Sequence, residues 1–427
     1  MSQRDPVRPL SSALAAPITR RRMLQGSAIV GVSAFLAACQ AQATPTAEPT
    51  PTAPPATPGP TPVATPTAAP TPEPTPQVPT GPLNFANWPA YIDLNEEETE
   101  SPTLEAFKAK YGVDVNYVED IQDNESFVAT IRPQLQAGLD TGWDLIVLTD
   151  WTAAKIVAAG WTEKIDQANV PNCVANLRDE LRGLDWDPNQ DYHYPWQSGA
   201  TGVGYNSTKT GRDLTKVADL FDPAFAGKAT LLESVQDTFA LVGLMMKAQG
   251  KLEHDPEEYT LEDAQKIHDE IKPFVESGHV RGFTGNEYLQ DFGSGDTWVA
   301  IVWSGDLASS GGENDVFVYP EEGSFIWTDN MLIPKGAQHK YTAELYMNFV
   351  YDVAIAAELA NWIYYISPVK GAGDKILELD PSLADDPYLA SLLFPPPEVA
   401  AKQHTFVAQT QDEENAFNDL LFDLTGQ

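Results

Sequence analysis

Tryptophan recurs in four short clusters between residues 81 and 427, and three of the four also contain aspartate. The clusters are Asn87–Tyr91, Thr149–Trp151, Trp303–Asp306 and Phe325–Asp329. Carboxylates pair with cationic nitrogens, and aromatic faces cover methylene groups and make cation–π contacts worth about 0.5 to 2 kcal/mol each. A single tryptophan is usually a packing residue, but four such clusters on one rim favour a binding site. The ligand that fits this chemistry is an alkyl ammonium, charged at its nitrogens and apolar between them.

The clusters lie at the ends of predicted strands in a pattern that alternates strands with helices. The predicted strands include Leu83–Asn87, Val113–Val118, Asp144–Leu148, Thr230–Leu232 and Trp298–Trp303. The predicted helices are Pro102–Tyr111, Ser126–Ala137, Thr152–Ala159, Asp237–Ala248, Leu261–Glu276, Tyr341–Leu359 and Glu414–Leu424. This alternation predicts an α/β fold with mainly parallel sheets, in which ligands bind beyond the carboxyl ends of the strands. Residues 81–427 exceed the usual ~100–200 residues of one domain, so we expect two lobes.

Sequence signatures of catalysis are missing from the chain. It has no G-x-S-x-G elbow, no H-E-x-x-H pair and no G-x-x-x-x-G-K-[ST] loop. The glycine-rich stretch Gly199–Gly204 has the wrong spacing for a dinucleotide loop. The six histidines are far apart in the sequence. We therefore predict no catalytic residues, no bound metal and no cofactor.

The first 39 residues have the features of an export signal. Arg20-Arg21-Arg22 precedes an uncharged apolar run, Gly26–Ala38, which is too short to span a bilayer comfortably. The paired arginines resemble a twin-arginine (Tat) export signal. Leu36-Ala37-Ala38-Cys39 resembles a bacterial lipobox, which implies that residues 1–38 are removed and that Cys39 is lipidated. An ordinary cleaved signal with an incidental cysteine is the alternative.

A stretch of low complexity follows Cys39. Residues 40–80 are almost entirely proline, threonine and alanine, without aromatic residues, so they cannot offset their ordering entropy by forming a core. High proline content favours an extended chain of about 3.1 Å per residue. We predict that residues 39–80 are a disordered tether. The composition is also that of O-glycosylated stalks, an alternative that the sequence leaves open.

The charge balance excludes some classes of partner. The chain has 26 Lys and Arg against 61 Asp and Glu, a formal net charge of −35. So acidic a surface argues against nucleic acid and anionic membrane surfaces as partners, and it is compatible with a cationic ligand. Cys173 is the only other cysteine, so no intrachain disulfide is available once Cys39 is lipidated.

Residues 83 to 370 resemble the spermidine/putrescine-binding proteins of polyamine ABC importers. The motifs that carry the resemblance occur in family order: N-W-x-x-Y at Asn87–Tyr91, Gly112–Val115, Trp143–Val147, Gly199–Asn206, Trp303–Asp306, Trp327–Asp329, and Tyr365 before Pro368. The resemblance implies a two-lobed periplasmic-binding-protein fold of type II with the ligand in the cleft between the lobes. It implies lobe 1 at 81–198 with 327–365 returning to it, and lobe 2 at 199–326 with 366–427 returning to it.

The resemblance also implies a set of ligand-binding residues. Six aromatic side chains would line the polyamine chain: Trp88, Tyr91, Trp151, Trp303, Trp327 and Tyr365. Four polar ones would face its nitrogens: Thr149, Asp237, Asp306 and Asp329. The sequence departs from the family at Pro89 and Ala90, where a hydroxyl and an acid are usual, and at Ser234, where an acid is usual although Glu233 is adjacent. Gln409 and Gln411 are alternatives for one further amide contact.

The resemblance implies a monomeric receptor that captures putrescine or spermidine at the outer face of the membrane, periplasmic or at the cell surface. It would be held there through Cys39 and deliver its ligand to an ABC permease, without catalysis. Two alternatives remain from the sequence. One is a receptor for another small solute, such as a sugar or amino acid. The other is an extracellular hydrolase that uses Asp306 or Asp329 as its acid or base.

Overall fold

The fold is known from a computed structural model that describes residues 77–95 and 97–426. The predictions for Cys39, the arginine pair and the tether up to residue 76 lie outside these residues. In the described part the strands are β1 (Leu83–Asn87), β2 (Val115–Glu119), β3 (Leu145–Thr149), β4 (His193–Asn206), β5 (Ala229–Leu232), β6 (Val280–Thr284), β7 (Val299–Trp303), β8 (Asp315–Val318), β9 (Ser324–Leu332) and β10 (Gln403–His404). The α-helices there are α1 (Pro102–Tyr111), α2 (Asn124–Ala137), α3 (Asp150–Ala158), α4 (Pro171–Asn176), α5 (Ser207–Thr210), α6 (Val235–Ala248), α7 (Leu261–Glu276), α8 (Tyr288–Ser294), α9 (Asp306–Ser310), α10 (Lys340–Val350), α11 (Val353–Ile363), α12 (Ala372–Leu379), α13 (Pro387–Leu393), α14 (Pro397–Ala400) and α15 (Gln411–Thr425).

The strands form one sheet path in the order β2-β1-β3-β9-β4-β7-β5-β6, with β8 beside β4 and β10 beside β9. The flanking pairs β1–β2, β1–β3, β5–β6 and β5–β7 are parallel. The central pairs β3–β9, β4–β9, β4–β7 and β4–β8 are antiparallel. The prediction of mainly parallel strands is therefore confirmed for the flanks of the sheet and wrong for its centre.

Strand β4 connects the two halves of the sheet. Its residues His193–Thr201 pair with β9, beside β3, and Thr201–Tyr205 pair with β7 in the other half. All but the last of its 14 residues are buried, so it lacks the alternating polarity that reveals a strand. A Cβ on Gly199 would lie 2.6 Å from the Trp327 ring and 2.7 Å from the Tyr365 ring. The absence of a side chain at Gly199 thus allows two aromatic rings to approach the strand.

Helices on the sheet begin at side-chain caps that the sequence displays. Ser101 caps α1, Ser234 caps α6, and Thr260 and Thr410 form capping boxes with Asp263 and Glu413 at the starts of α7 and α15. Helix α6 is buried at every position from 235 to 246, which places it inside the core rather than on the surface.

The single helix predicted at Tyr341–Leu359 is wrong, because the chain breaks there into α10 and α11. The Asp352 side chain accepts a hydrogen bond from the backbone N–H of Ala354 and so starts a second helix. Tyr351, between the two helices, donates its hydroxyl to the carbonyl oxygen of Pro195 over 2.7 Å. Uniform apolar periodicity across the break conceals this turn.

None of the helices in the described ranges combines the length and apolar character that a bilayer crossing requires. The same residues contain no group of three or more His, Cys, Asp or Glu side chains placed to hold a metal ion.

Candidate ligand-binding site

One cavity lies where the carboxyl ends of strands from both halves of the sheet meet. Together with its opening to solvent it encloses about 590 Å³ of space that is not filled by protein atoms. All ten residues predicted to bind ligand line it: Trp88, Tyr91, Thr149, Trp151, Asp237, Trp303, Asp306, Trp327, Asp329 and Tyr365. The structure thus brings together residues that are up to 277 positions apart in the sequence.

Trp327 and Asp329 reach the cavity in a way that the sequence pattern does not indicate. They lie inside β9 rather than after a strand end, and β9 pairs with β3 on one side and β4 on the other. Because alternate residues of a strand point to the same face, both side chains project into the cavity.

Further lining residues follow β2 and β6, and sequence reasoning missed them. They are Gln122, Asp123 and Asn124 after β2, and Thr284, Gly285 and Asn286 at and after the end of β6. The rule that sites follow strand ends would have identified the first group, since β2 was predicted. It could not identify the second, because β6 was not predicted. Pro89, Glu233 and Ser234 also line the cavity, whereas Gln409 and Gln411 do not.

A buried acid orients two of the tryptophans. The indole Nε1 of Trp303 donates to Oδ1 of Asp237 over 3.3 Å, and the Thr201 hydroxyl donates to the same oxygen. Nε1 of Trp327 donates to the Thr201 hydroxyl oxygen over 3.1 Å. Burial raises the pKa of Asp237, which these donors partly offset by stabilising its charge. Asp237 is thus held by protein groups and fixes two aromatic walls.

Asp306 is surrounded by neutral donors. It accepts from Asn286 Nδ2 over 2.7 Å and from the hydroxyls of Tyr288 and Tyr365 over 2.6 Å and 2.7 Å. Burial, followed by the charge of Asp306, raises the pKa of both tyrosines far above the ordinary value. The phenols therefore stay protonated and continue to donate.

Asp329 has an oxygen without a partner. It is 4% exposed, and neither its Oδ1 nor the buried hydroxyl of Tyr91 has a hydrogen-bond partner within the described residues. Burial raises the pKa of Tyr91 well above its ordinary value, and the neighbouring charge of Asp329 raises it further. Burial raises the pKa of Asp329 to about 7, and the charges of Asp150 and Asp237 add to the shift.

Asp150 is a second acid with a shifted pKa, and it does not line the cavity. Its Oδ1 accepts from the backbone N–H of Trp151 over 2.9 Å, and burial raises its pKa to about 7. The acids around the cavity therefore repel one another, and they are buried in the protein interior. A positively charged ligand would reduce both energetic costs.

Aromatic rings enclose the remaining walls. Trp88 and Trp303 make an edge-to-face contact with centroids 5.9 Å apart, across the two halves of the sheet. Tyr365 contacts Tyr91 at 5.0 Å and Trp327 at 5.6 Å. Trp88 is held by a hydrogen bond from Nε1 to the carbonyl oxygen of Val147 over 3.1 Å. These contacts leave a narrow, rigid slot with aromatic sides.

Comparison with known proteins identifies a family. The sequence profile of the bacterial extracellular solute-binding proteins matches residues 103–390. The spermidine/putrescine-binding periplasmic protein of Salmonella typhimurium (strain LT2) is 28% identical over 307 residues, 71% of this chain and 81% of that protein.

Solved structures with the same fold are more distant in sequence. The spermidine/putrescine ABC transporter substrate-binding protein PotD of Streptococcus pneumoniae matches with a TM-score of 0.62 and 20% identity, over 80% of this chain and 98% of that one. The Tp0655 (TpPotD) lipoprotein of Treponema pallidum matches with a TM-score of 0.63 and 18% identity, over 81% and 99%. These are two-lobed binding proteins, and the predicted fold class is confirmed.

Proposed function

The chain belongs to the family of bacterial extracellular solute-binding proteins, and from its cavity we propose that it captures a polyamine, putrescine or spermidine, for an ABC importer. The family is one of solute-binding proteins rather than enzymes. A hydrolytic role for Asp306 or Asp329 accordingly receives no support from the family.

The observation that carries this proposal is the charge of the cavity lining. Five acids line it, namely Asp123, Glu233, Asp237, Asp306 and Asp329, and the described lining includes no lysine, arginine or histidine. Six aromatic residues complete the walls. A protein interior tolerates so many carboxyl groups without a cation only at a cost, which a polycationic ligand would offset.

The unpaired atoms of the cavity point to the same ligand class. Tyr91 Oη, Thr284 Oγ1, Asn286 Oδ1 and Asp329 Oδ1 have no hydrogen-bond partner in the described structure. All four can accept a hydrogen bond, and an ammonium group offers three donors and no acceptor. Buried polar groups are nearly always paired, so these acceptors favour a ligand that donates.

A diamine placed in this cavity could use all four of these unpaired acceptors. One ammonium would bind Asp329 and Tyr91, and the second would bind near Asp306, where Asn286 Oδ1 and Thr284 Oγ1 are unpaired. The methylenes between them would contact Trp88, Trp303 and Trp327. An amino acid fits less well, because its carboxylate would face the acids without a cationic partner.

Capture would use the two lobes as a trap. We propose lobe 1 at 81–198 with 327–365, and lobe 2 at 199–326 with 366–427, with β4 and β9 passing between them. The cavity residues come from both halves of the sheet, so a ligand that touches both would favour the closed arrangement and shift the population towards it.

We further propose that the protein acts as a monomer at the outer face of the membrane. Lipidation of Cys39 after Tat export would anchor it, and residues 39–80 would give it reach. The support for the anchor and the tether is the sequence of residues 1–80.

Calorimetric titration tests the proposed ligand class. The full chain should bind putrescine or spermidine with a dissociation constant well below millimolar. Sugars and neutral amino acids should bind far more weakly. Absence of binding to both amines at millimolar concentration would remove the proposal. Binding of a neutral solute instead would identify a receptor for another solute class.

A further inference from the structure

Two loops from opposite halves of the sheet meet over the cavity. One follows β2 and contains Gln122, and the other follows β6 and contains Gly285. The Trp88–Trp303 contact joins the same two halves deeper in the site. The described structure is thus a closed arrangement, in which the ligand cavity lies beneath the two loops.

Gly285 approaches the opposite loop closely. A Cβ built on Gly285 would lie 3.2 Å from Oε2 of Glu287, which is the end of a flexible side chain, and 3.1 Å from the backbone carbonyl oxygen of Gln122 in the opposite loop; both distances are shorter than the 3.4 Å at which ordinary contacts begin. The opposing atom belongs to the backbone, so it cannot swing away as a flexible side-chain end would. A methyl group at position 285 would therefore need the two loops to move apart by a few tenths of an ångström, and a larger side chain would need more.

The need for glycine comes from this approach and not from the backbone. The φ angle of Gly285 is not positive, so alanine can adopt this φ without strain. A methyl group there would disturb the contact between the loops and leave the separate halves of the sheet unaffected. Thr284 and Asn286 on either side carry unpaired acceptors that line the cavity.

We propose that Gly285 is a positioning residue for ligand capture, because its lack of a side chain lets the β6 loop close onto Gln122 over the bound ligand. This inference rests on the proposed polyamine-binding function. Since closure covers the ligand after it has entered, a variant that prevents full closure raises the dissociation rate and leaves the association rate nearly unchanged. Such a variant also lowers the affinity for every ligand of the site by the same factor.

The test compares Gly285→Ala and the bulkier Gly285→Val with a matched control, Gly282→Ala, in the full chain. Gly282 lies in β6, three residues away, and a Cβ there would meet nothing within 4 Å. Stopped-flow and calorimetric titration with putrescine and spermidine give both rates and the affinity. We expect the dissociation rate to rise about threefold or more in Gly285→Ala and further in Gly285→Val, with the putrescine-to-spermidine affinity ratio unchanged and Gly282→Ala like wild type.

Hydrogen–deuterium exchange of peptides covering residues 119–124 and 283–288 measures closure independently of affinity. We expect less protection of both peptides in the Gly285 variants, with an unchanged melting temperature of the unliganded protein. Wild-type rates and protection in Gly285→Val would overturn the inference. A changed ratio of ligand affinities would overturn it too, by showing a direct ligand contact. Failure of the wild type to bind either amine would instead refute the proposed function, while the exchange of the unliganded proteins would still decide whether Gly285 controls closure.

Discussion

The Trp303 indole and the Asp237 carboxylate are joined by a hydrogen bond of 3.3 Å, although one residue ends β7 and the other lies in the first turn of α6. Asp237 also accepts from Thr201, which in turn accepts from Trp327. One buried acid therefore orients aromatic walls from two different strands. This makes Asp237 a residue that shapes the cavity as well as a contributor to its charge.

Thr201→Val should weaken polyamine binding by roughly 5- to 30-fold, the cost of about 1–2 kcal/mol for a lost buried hydrogen bond. The isosteric change leaves Trp327 Nε1 buried without a partner and removes one donor from Asp237. Calorimetric titration measures the affinity, and the emission spectrum of the tryptophans reports their altered surroundings. The exposed Thr405→Val serves as control and should bind as wild type does. Unaltered affinity in Thr201→Val would mean that the network does not position Trp327.

Asp329→Asn should weaken polyamine binding and yet stabilise the unliganded protein. Binding should weaken by roughly 10- to 150-fold, equivalent to 1.5–3 kcal/mol for a hydrogen bond to a charged group. The unliganded variant should nevertheless melt at a higher temperature than wild type at pH 8, because it no longer holds a buried unpaired charge. Differential scanning calorimetry without ligand and titration with putrescine measure the two effects. A variant that binds normally, or that melts lower at pH 8, would contradict the assignment of Asp329.

The pH dependence follows from the raised pKa of Asp329, about 7 in the folded protein against an ordinary value of 3.8. The folded state holds this proton more tightly than the unfolded chain does, so the free energy of unfolding should fall as pH rises from about 4 to about 7. Polyamine affinity should do the opposite and rise through pH 7, since only the ionised carboxylate attracts an ammonium. Titrations from pH 5 to 8.5 measure this trend.

Asp150→Asn gives the pH prediction a control. Its charge contributes to the raised pKa of Asp329, so its removal should lower that pKa. The rise of affinity with pH should then occur at lower pH, with affinity above pH 8 little changed. An unshifted profile would show that another group controls the pH dependence.

Lys155→Met should destabilise the protein by about 2 kcal/mol or more. Lys155 of α3 donates to Glu125 over 3.1 Å and also pairs with Glu414 of α15, which is 1% exposed. Without the lysine, Glu414 remains buried near another carboxylate. Glu414→Gln should destabilise the protein less, because Lys155 still pairs with Glu125 in this variant. Urea unfolding of both single variants and the double variant measures this order, and a larger loss in Glu414→Gln would contradict it.

Much of the site could be predicted from local sequence because its residues follow strand ends. Trp88, Trp151 and Asp306 come directly after predicted strands, where ligands of α/β sheets bind. The helix starts at Ser101, Thr260 and Thr410 are likewise local, since each cap bonds a backbone N–H three residues away. The α/β class therefore followed from the alternation of strands and helices, and the two-lobed fold followed from the family resemblance.

The centre of the fold could not be predicted this way. Strand β4 is buried on both faces, so it shows no alternation of polar and apolar residues, and only the fold reveals that Gly199 packs against Trp327 and Tyr365. The break between α10 and α11 depends on Asp352 taking a capping role within an apolar run.

The sequence alone determined which residue types line the cavity, because aromatic rings, carboxylates and strand ends are properties of short segments. Only the tertiary structure decided which acid keeps an unpaired oxygen, which one holds the tryptophans, and that Gly285 must pass within reach of Gln122. Those distinctions depend on burial and on contacts between residues that are distant in the sequence, and no local pattern records them.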